Sequence, residues 1–180
     1  MLPDQPGTYV LILWLAAPKT ITCGKAGCFR FPAGWYAYVG SARGPGGLAA
    51  RLAHHLRGPR RPHWHIDYLR SESRPVEIWY EVASTREECA WSESLLALSG
   101  GQPPAPGFGA SDCRCSTHLV HFDHHPDHLA FARAVGSTVR VEIPDTRKPT
   151  SKPPAARAEV AGTLGPRPPR ARCFRDNTAP

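Results

Sequence analysis

The sequence lacks acidic side chains over an unusually long stretch, with no aspartate or glutamate between Gln5 and Ile66. Eight lysines and arginines lie in that stretch, and the whole chain carries a formal net charge of +7. A long stretch that carries positive charge and no acidic side chains indicates a surface that binds phosphate groups. A GC-rich genome, which favours arginine and proline, is the alternative explanation for the overall charge.

Long apolar runs and leader features are also missing. No run of about 18 or more apolar residues occurs, so no membrane-spanning helix is expected. The segment from Met1 to Gly7 has neither a basic stretch nor a cleavage motif, which predicts a cytoplasmic protein without a secretory signal. The six cysteines are then expected as reduced thiols or metal ligands.

Hydrophobic patterning predicts a small α/β domain of the α+β sandwich kind. The order of elements, β-β-β-α followed by β-α-β, indicates a small mixed or antiparallel central sheet flanked by helices. Strands are expected at 7–15, 19–23, 34–40, 76–82 and 117–122, and helices at 48–57 and from an N-cap at Ser84 to about Leu98. Residues 63–69 fit either a helix or a turn leading into one, and 129–143 fit a short helix or strand.

Two strands show an alternation that assigns their faces. Tyr36 and Tyr38 are expected on one face of their strand, with Trp35, Ala37 and Val39 on the other. The segment 76–82 alternates apolar and polar residues, which predicts a strand with one face in water.

Composition divides the chain into three parts. Residues 5–122 form the predicted domain, and 123–143 form a short extension of its core. Residues 144–180 are rich in proline and arginine and poor in apolar residues, which predicts a disordered basic tail. Such a tail either adds non-specific attraction to nucleic acid or is an unselected extension.

Several widely spaced motifs share one order along the chain. Gly7-Thr8-Tyr9 precedes Tyr38-Val39-Gly40, then Arg51 and His55 lie on one helical face, and Glu88 lies early on a later helix. This set resembles the GIY-YIG nuclease family, in which the paired tripeptides lie on adjacent strands and bring two tyrosines together.

Two further segments resemble one branch of that family, a GIY-YIG-like branch of unassigned function that is sometimes fused to endonuclease III-type repair glycosylases. They are Trp64-His-Ile-Asp-Tyr-Leu69 and Ser111-Asp-Cys-Arg-Cys115. The resemblance covers roughly residues 5–122.

The resemblance implies a metal-dependent endonuclease that hydrolyses phosphodiester bonds in DNA, in the context of DNA repair, with a repair protein as a further implied partner. Tyr9 and Tyr38 would orient or deprotonate the attacking water, and Arg51 would clamp phosphate oxygens. His55 would shuttle a proton or contact phosphate, and Glu88 would hold one Mg²⁺ or Mn²⁺ ion. Packing alone is the competing interpretation of both tyrosines.

Ser41 departs from the family pattern, because many active members place a lysine directly after the second tripeptide. Ser41 and Arg43 are therefore the predicted phosphate-binding residues, with Arg43 supplying the missing cation. The alternative function is a non-catalytic nucleic-acid-binding module on the same fold. Glu87 remains an alternative to Glu88 as the metal ligand.

Two polar clusters have open assignments. His63, His65 and Asp67 form one cluster, in which His65 and Asp67 either hydrogen-bond each other or reach the site. The alternative for this segment is helix capping and core packing by Trp64, Ile66 and Tyr68. Ser111 and Asp112 are expected to shape a loop near the site.

Cys113, Cys115 and His118 have metal-ligand types in an unusual spacing and need a fourth ligand from Cys89, His65 or His121. Zinc is the less favoured prediction here, and buried cysteines that act as small apolar side chains are the favoured one. A zinc-supported interaction domain is the third functional alternative.

Overall fold

Apolar strand residues build a five-stranded antiparallel sheet in the computed structural model, which describes residues 1–24, 27–58 and 62–145. These residues belong to one compact unit, 1–149, and most of the predicted disordered tail lies outside the described residues. No helix in the described ranges is long and apolar enough to cross a membrane. The elements are β1 (Gly7–Leu15), β2 (Lys19–Thr22), β3 (Cys28–Phe31), β4 (Gly34–Ala42), α1 (Gly47–Arg57), α2 (His65–Arg70), β5 (Arg74–Val82), α3 (Glu88–Ala97), β6 (Leu119–Phe122), α4 (His128–Val135) and β7 (Arg140–Glu142).

The main sheet has the strand order β6-β4-β1-β5-β7, and β2 pairs with β3 in a separate hairpin. Strand β1 lies at the centre and pairs with β4 on one side and with β5 on the other. Its continuous apolar sequence fits this position, because a central strand covered on both faces needs no polar alternation. The predicted α+β class with an antiparallel sheet and flanking helices is confirmed.

Helices cover both faces of the sheet. One face, with Leu11 and Leu13, packs against Leu48 and Leu52 of α1 and against α2. The other face packs against α3 and α4 through an apolar cluster that includes Val10, Ile12, Ala37, Val39, Trp79, Trp91, Leu95 and Phe131. Tyr36 and Tyr38 lie in the first cluster and Trp35, Ala37 and Val39 in the second, so the predicted alternation of β4 is confirmed.

The structure corrects three predictions about elements. The predicted water-facing side of β5 is wrong, because Trp79 is fully buried under α4 while Ile78 is buried on the opposite face. Strand β3, the hairpin partner of β2, was not predicted. Helix α3 begins at Glu88 rather than after a Ser84 cap, and its N-cap residue Glu87 makes no side-chain capping bond.

Candidate functional site

Two tyrosines meet on neighbouring strands. Tyr9 of β1 lies opposite Gly40 of β4, and Tyr38 of β4 lies opposite Leu11 of β1. A Cβ atom at Gly40 would lie 2.5 Å from the Tyr9 hydroxyl oxygen, so the glycine leaves the space that the Tyr9 ring occupies. The strand register and this glycine together place both phenols on the same side of the sheet.

A cleft of about 310 Å³ opens beside these phenols. It brings together eight of the residues predicted from the sequence, which are Tyr9, Tyr38, Ser41, Arg51, His55, Glu88, Ser111 and Asp112. They come from β1, β4, α1, α3 and the loop before β6. These eight side chains, which extend from Tyr9 to Asp112 along the sequence, thus converge through the tertiary fold.

Glu88 reaches this cleft from the opposite face of the sheet. Helix α3 packs on that face through Trp91 and Leu95, whereas the phenols belong to the other cluster. Strand β6 pairs with β4 over Trp35–Tyr38, and directly beyond this pairing the Val39 N–H donates to the His118 carbonyl at 2.9 Å. The first turn of α3 and the phenols line the same cleft.

Glu87 does not share this position. It lines a separate depression with residues of α3 and α4, whereas Glu88 is partly exposed within the cleft. Of the two carboxylates that the sequence left open, Glu88 is therefore the one placed beside the phenols.

His55 connects Tyr9 to a buried carboxylate. The Tyr9 hydroxyl and His55 Nε2 lie 2.8 Å apart in a buried hydrogen bond. On the other side of the imidazole, His55 Nδ1 lies 3.9 Å from Asp67 Oδ1, and neither atom has a hydrogen-bond partner within the described residues. The order Tyr9, His55, Asp67 runs from the cleft into the protein.

Asp67 also holds α2 in place. Its Oδ2 atom accepts hydrogen bonds from the backbone N–H groups of His63 and Trp64, at 2.9 and 3.0 Å. Its other oxygen faces His54 Nε2 at 3.4 Å as well as His55. One oxygen of this carboxylate therefore caps α2, and the other faces two histidines.

Arg51 presents its guanidinium to the cleft against an aromatic ring. Its central carbon lies 4.3 Å from the centroid of the Trp64 ring, a cation–π contact. Within the described part of the chain no carboxylate lies in ion-pairing distance of Arg51. Its hydrogen-bond donors are thus left for an anion in the cleft.

Besides the buried Asp67, three predicted residues lie away from the cleft lining. Arg43 donates a hydrogen bond of 2.6 Å to the backbone carbonyl of Ser84. His65 Nδ1 accepts from the backbone N–H of Gly109 at 3.3 Å and its ring packs on Phe108. His63 is exposed at the entrance to α2.

The sequence did not identify three of the residues that line the cleft. They are Trp64, Arg86 and His118. Trp64 and His118 belong to motifs noted in the sequence, and their place at the cleft depends on the packing of distant elements. Arg86 belongs to no motif, and it forms an exposed ion pair of 3.4 Å with Asp112.

Burial controls the protonation of the site. It raises the pKa of Tyr9 and Tyr38 above the ordinary phenol value, and the positive charge of Arg51 offsets only part of this effect. Burial also lowers the pKa of His55 to about 3, although the Asp67 carboxylate acts in the opposite direction. Both phenols and the imidazole are therefore neutral at pH 7.

A second group of side chains lies beside the cleft. Cys89, Cys113, Cys115 and His118 each direct a ligand atom to within 4.8 Å of the others. The predicted fourth partner is thus Cys89 rather than His65 or His121. The interpretation of these cysteines as buried apolar residues is wrong, because all three are partly exposed.

The comparisons with known proteins give one match. A family model described as a domain of unknown function, DUF123, matches residues 8–140, a range that contains every cleft residue described above. No curated protein and no solved structure matches the chain.

Proposed function

The chain belongs to the DUF123 family, whose function is unknown, and from its own site we propose that it is a metal-dependent endonuclease of the GIY-YIG type acting on DNA. The observation that carries this proposal is the convergence of Tyr9, Tyr38, Arg51 and Glu88 on one cleft. Phosphodiester hydrolysis needs an oriented water, a cationic clamp on the phosphate and a carboxylate for a metal ion. The cleft contains one group for each task.

Glu88 fits the role of holding a divalent cation. Its carboxylate is partly exposed in the cleft, and no cation within the described residues lies in ion-pairing distance of it. An oxygen donor with room for water suits Mg²⁺ or Mn²⁺, which prefer oxygen ligands and retain several waters. When bound, such an ion supplies Lewis acidity and lowers the pKa of coordinated water.

The phenols act as orienting groups in this proposal. Their raised pKa values disfavour a phenolate, so each phenol acts mainly through hydrogen bonds. In the His55 tautomer that carries its proton on Nδ1, facing Asp67, Nε2 accepts the hydrogen bond from the Tyr9 hydroxyl. The lone pairs of that oxygen are then left for a water in the cleft. The Asp67 carboxylate lies next to His55 Nδ1, on the side of the imidazole away from Tyr9. It stabilises a positive charge on the His55 ring.

Two arginines provide the positive charge. Arg51, steadied by the Trp64 ring, offers the planar donor fork that matches a phosphate. Among the residues that the structure describes, Arg86 is paired only with exposed Asp112, and such a surface pair contributes little. Arg86 is thus free to turn to a phosphate and takes the place of the lysine that Ser41 replaces in the family pattern.

A non-catalytic nucleic-acid-binding module is the second candidate. Ser41 and the raised pKa values of both phenols favour it, because they remove a cation and disfavour an internal base. This module would bind DNA through the same arginines without cleaving it.

Cleavage and binding assays separate the two candidates. The full chain is incubated with Mg²⁺ or Mn²⁺ and duplex, single-stranded, flap and abasic DNA. The endonuclease proposal predicts metal-dependent cleavage of at least one substrate, reduced about 100-fold or more by Arg51→Ala. Arg133→Ala, on the exposed side of α4, is the control and should cleave normally.

Salt-sensitive binding without cleavage would instead support the binding module, because phosphate contacts weaken steeply as salt rises. A chain that neither cleaves nor binds any of the four substrates would contradict both candidates.

A further inference from the structure

Four soft ligands meet beside the cleft from separate segments of the chain. Cys89 lies in the first turn of α3, Cys113 and Cys115 lie in the loop before β6, and His118 immediately precedes that strand. His118 Nε2 is 3.4 Å from Cys113 Sγ and 4.0 Å from Cys89 Sγ. All four ligand atoms lie within 4.8 Å of one another, and the three thiols are free of disulfides.

These separations are close to those of a tetrahedral metal site. With Zn–S bonds of about 2.3 Å and Zn–N bonds of about 2.0 Å, tetrahedral angles place sulfur atoms about 3.8 Å apart and a sulfur and a nitrogen about 3.5 Å apart. The two measured distances from His118 Nε2 bracket the second value. Only a small contraction of the group is needed to close it around an ion.

The chemistry of the donors selects the metal. Three thiols and one imidazole are soft or borderline ligands, which bind Zn²⁺ in preference to Mg²⁺ or Ca²⁺. Four protein ligands also leave no open position for water, which is the pattern of a structural rather than a catalytic zinc site.

The position of these four ligands indicates the structural role of a bound ion. The loop that carries Cys113 and Cys115 has no helix or strand of its own, and one of its backbone bonds, from Cys113 N–H to the Ala110 carbonyl, is long at 3.4 Å. A metal would bind this loop to the start of α3. Asp112 and Glu88, which precede Cys113 and Cys89, would then be fixed in the cleft wall.

We propose that Cys89, Cys113, Cys115 and His118 bind one structural Zn²⁺ ion that joins α3 to the loop before β6. This proposal goes beyond the proposed nuclease function and does not depend on it. The sequence shows no complete zinc motif, because Cys89 is far from the other three ligands along the chain. Folding brings Cys89 next to them.

Metal analysis of the full-length protein, purified under reducing conditions, is the first test. The proposal predicts one zinc per chain in the wild type and its loss in Cys113→Ser and Cys115→Ser. Cys23→Ala, which changes a free buried thiol outside the group, should retain the metal. Zinc retained by both serine variants would overturn the proposal.

A competing metal position requires its own control. His54, His55 and Asp67 also place ligand atoms within 4.8 Å of one another. The proposal predicts that His54→Ala keeps its zinc. If this variant loses zinc while Cys113→Ser keeps it, the ion belongs to the histidine and aspartate group, and the proposal fails.

Cobalt substitution of the wild type makes the test independent of whether variants fold. Co²⁺ added to metal-free protein should give the intense visible bands of tetrahedral cobalt and thiolate-to-metal charge-transfer bands. Weak octahedral bands without charge transfer would contradict the proposal. Because neither readout involves DNA cleavage, a failure here is distinct from a failure of the nuclease proposal.

Discussion

At the scale of single residues, the site depends on backbone space as much as on reactive groups. The second tripeptide supplies Tyr38 to the cleft, and its glycine gives room to the Tyr9 ring on the neighbouring strand. Gly7 has a similar constraint, because a Cβ there would clash with the Glu81 carbonyl. The two glycines in the motif thus have packing reasons of their own.

Gly40→Ala should therefore destabilise the protein by about 1–3 kcal/mol, as overpacking of a filled site does. Its new methyl group would meet the Tyr9 hydroxyl and ring. Gly44→Ala is the matched control, because a Cβ at Gly44 meets nothing within 4 Å, and it should stay within about 0.5 kcal/mol of the wild type. Urea unfolding measures both, and equal stability of the two variants would contradict this packing account.

The buried imidazole predicts a dependence of stability on pH. The pKa of His55 falls from 6.5 to about 3 on folding, so the unfolded chain binds a proton in this range that the folded protein does not. The resulting stability is complete above pH 6.5 and is lost progressively as the pH falls towards 3, at up to about 1.4 kcal/mol per pH unit.

Comparing wild type with His55→Gln isolates this contribution. The free energy of unfolding, measured by urea titration at several pH values, should fall less steeply for the variant below pH 6.5. Asp67, His54, Arg51 and Arg70 also act on His55 and remain in both proteins. Parallel pH profiles would show that His55 titrates normally.

At the scale of elements, the sequence predicts what local pattern encodes. The long strands β1 and β4, helix α1 and the face alternation of β4 follow from apolar spacing and glycine stops. The buried Trp79 face of β5 could not be predicted, since it depends on α4, which covers it from more than forty residues away.

The site residues likewise divide into those that sequence motifs identify and those that depend on the tertiary fold. Motif order identifies Tyr9, Tyr38, Arg51 and Glu88, because these residues belong to recognisable segments. The sequence does not place Arg86 at the cleft or direct Arg43 towards Ser84, because both positions are set by how loops fold over the sheet edge. The cysteine group is only partly visible for the same reason.

Helix α4 offers a test of how the chain beyond β6 contributes to the core. Phe131 is fully buried between Trp79 and Trp91, with ring centroids at 5.5 and 5.2 Å. Phe131→Ala should cost about 3–5 kcal/mol of unfolding free energy. Leu129→Ala on the same helix, at a side chain that is 64% exposed, should cost less than about 0.5 kcal/mol. Similar losses in both variants would mean that α4 does not pack as described.

At the scale of the whole molecule, the cleft lies where the pairing between β6 and β4 ends. That pairing ends at Tyr38, the Val39 N–H donates to the His118 carbonyl, and Glu88 in the first turn of α3 lines the cleft beside the phenols. Elements packed on both faces of the sheet therefore contribute residues to one cleft.

The central claim is that Glu88 acts together with the phenols and Arg51 on one phosphodiester. The most direct measurement compares metal-dependent DNA nicking by wild type, Glu88→Gln and Glu87→Gln at saturating Mg²⁺ or Mn²⁺. The account predicts that Glu88→Gln loses about 100-fold or more of the activity, whereas Glu87→Gln, whose side chain lines a different depression, nicks like the wild type. Equal nicking by all three proteins, or a loss confined to Glu87→Gln, would contradict it.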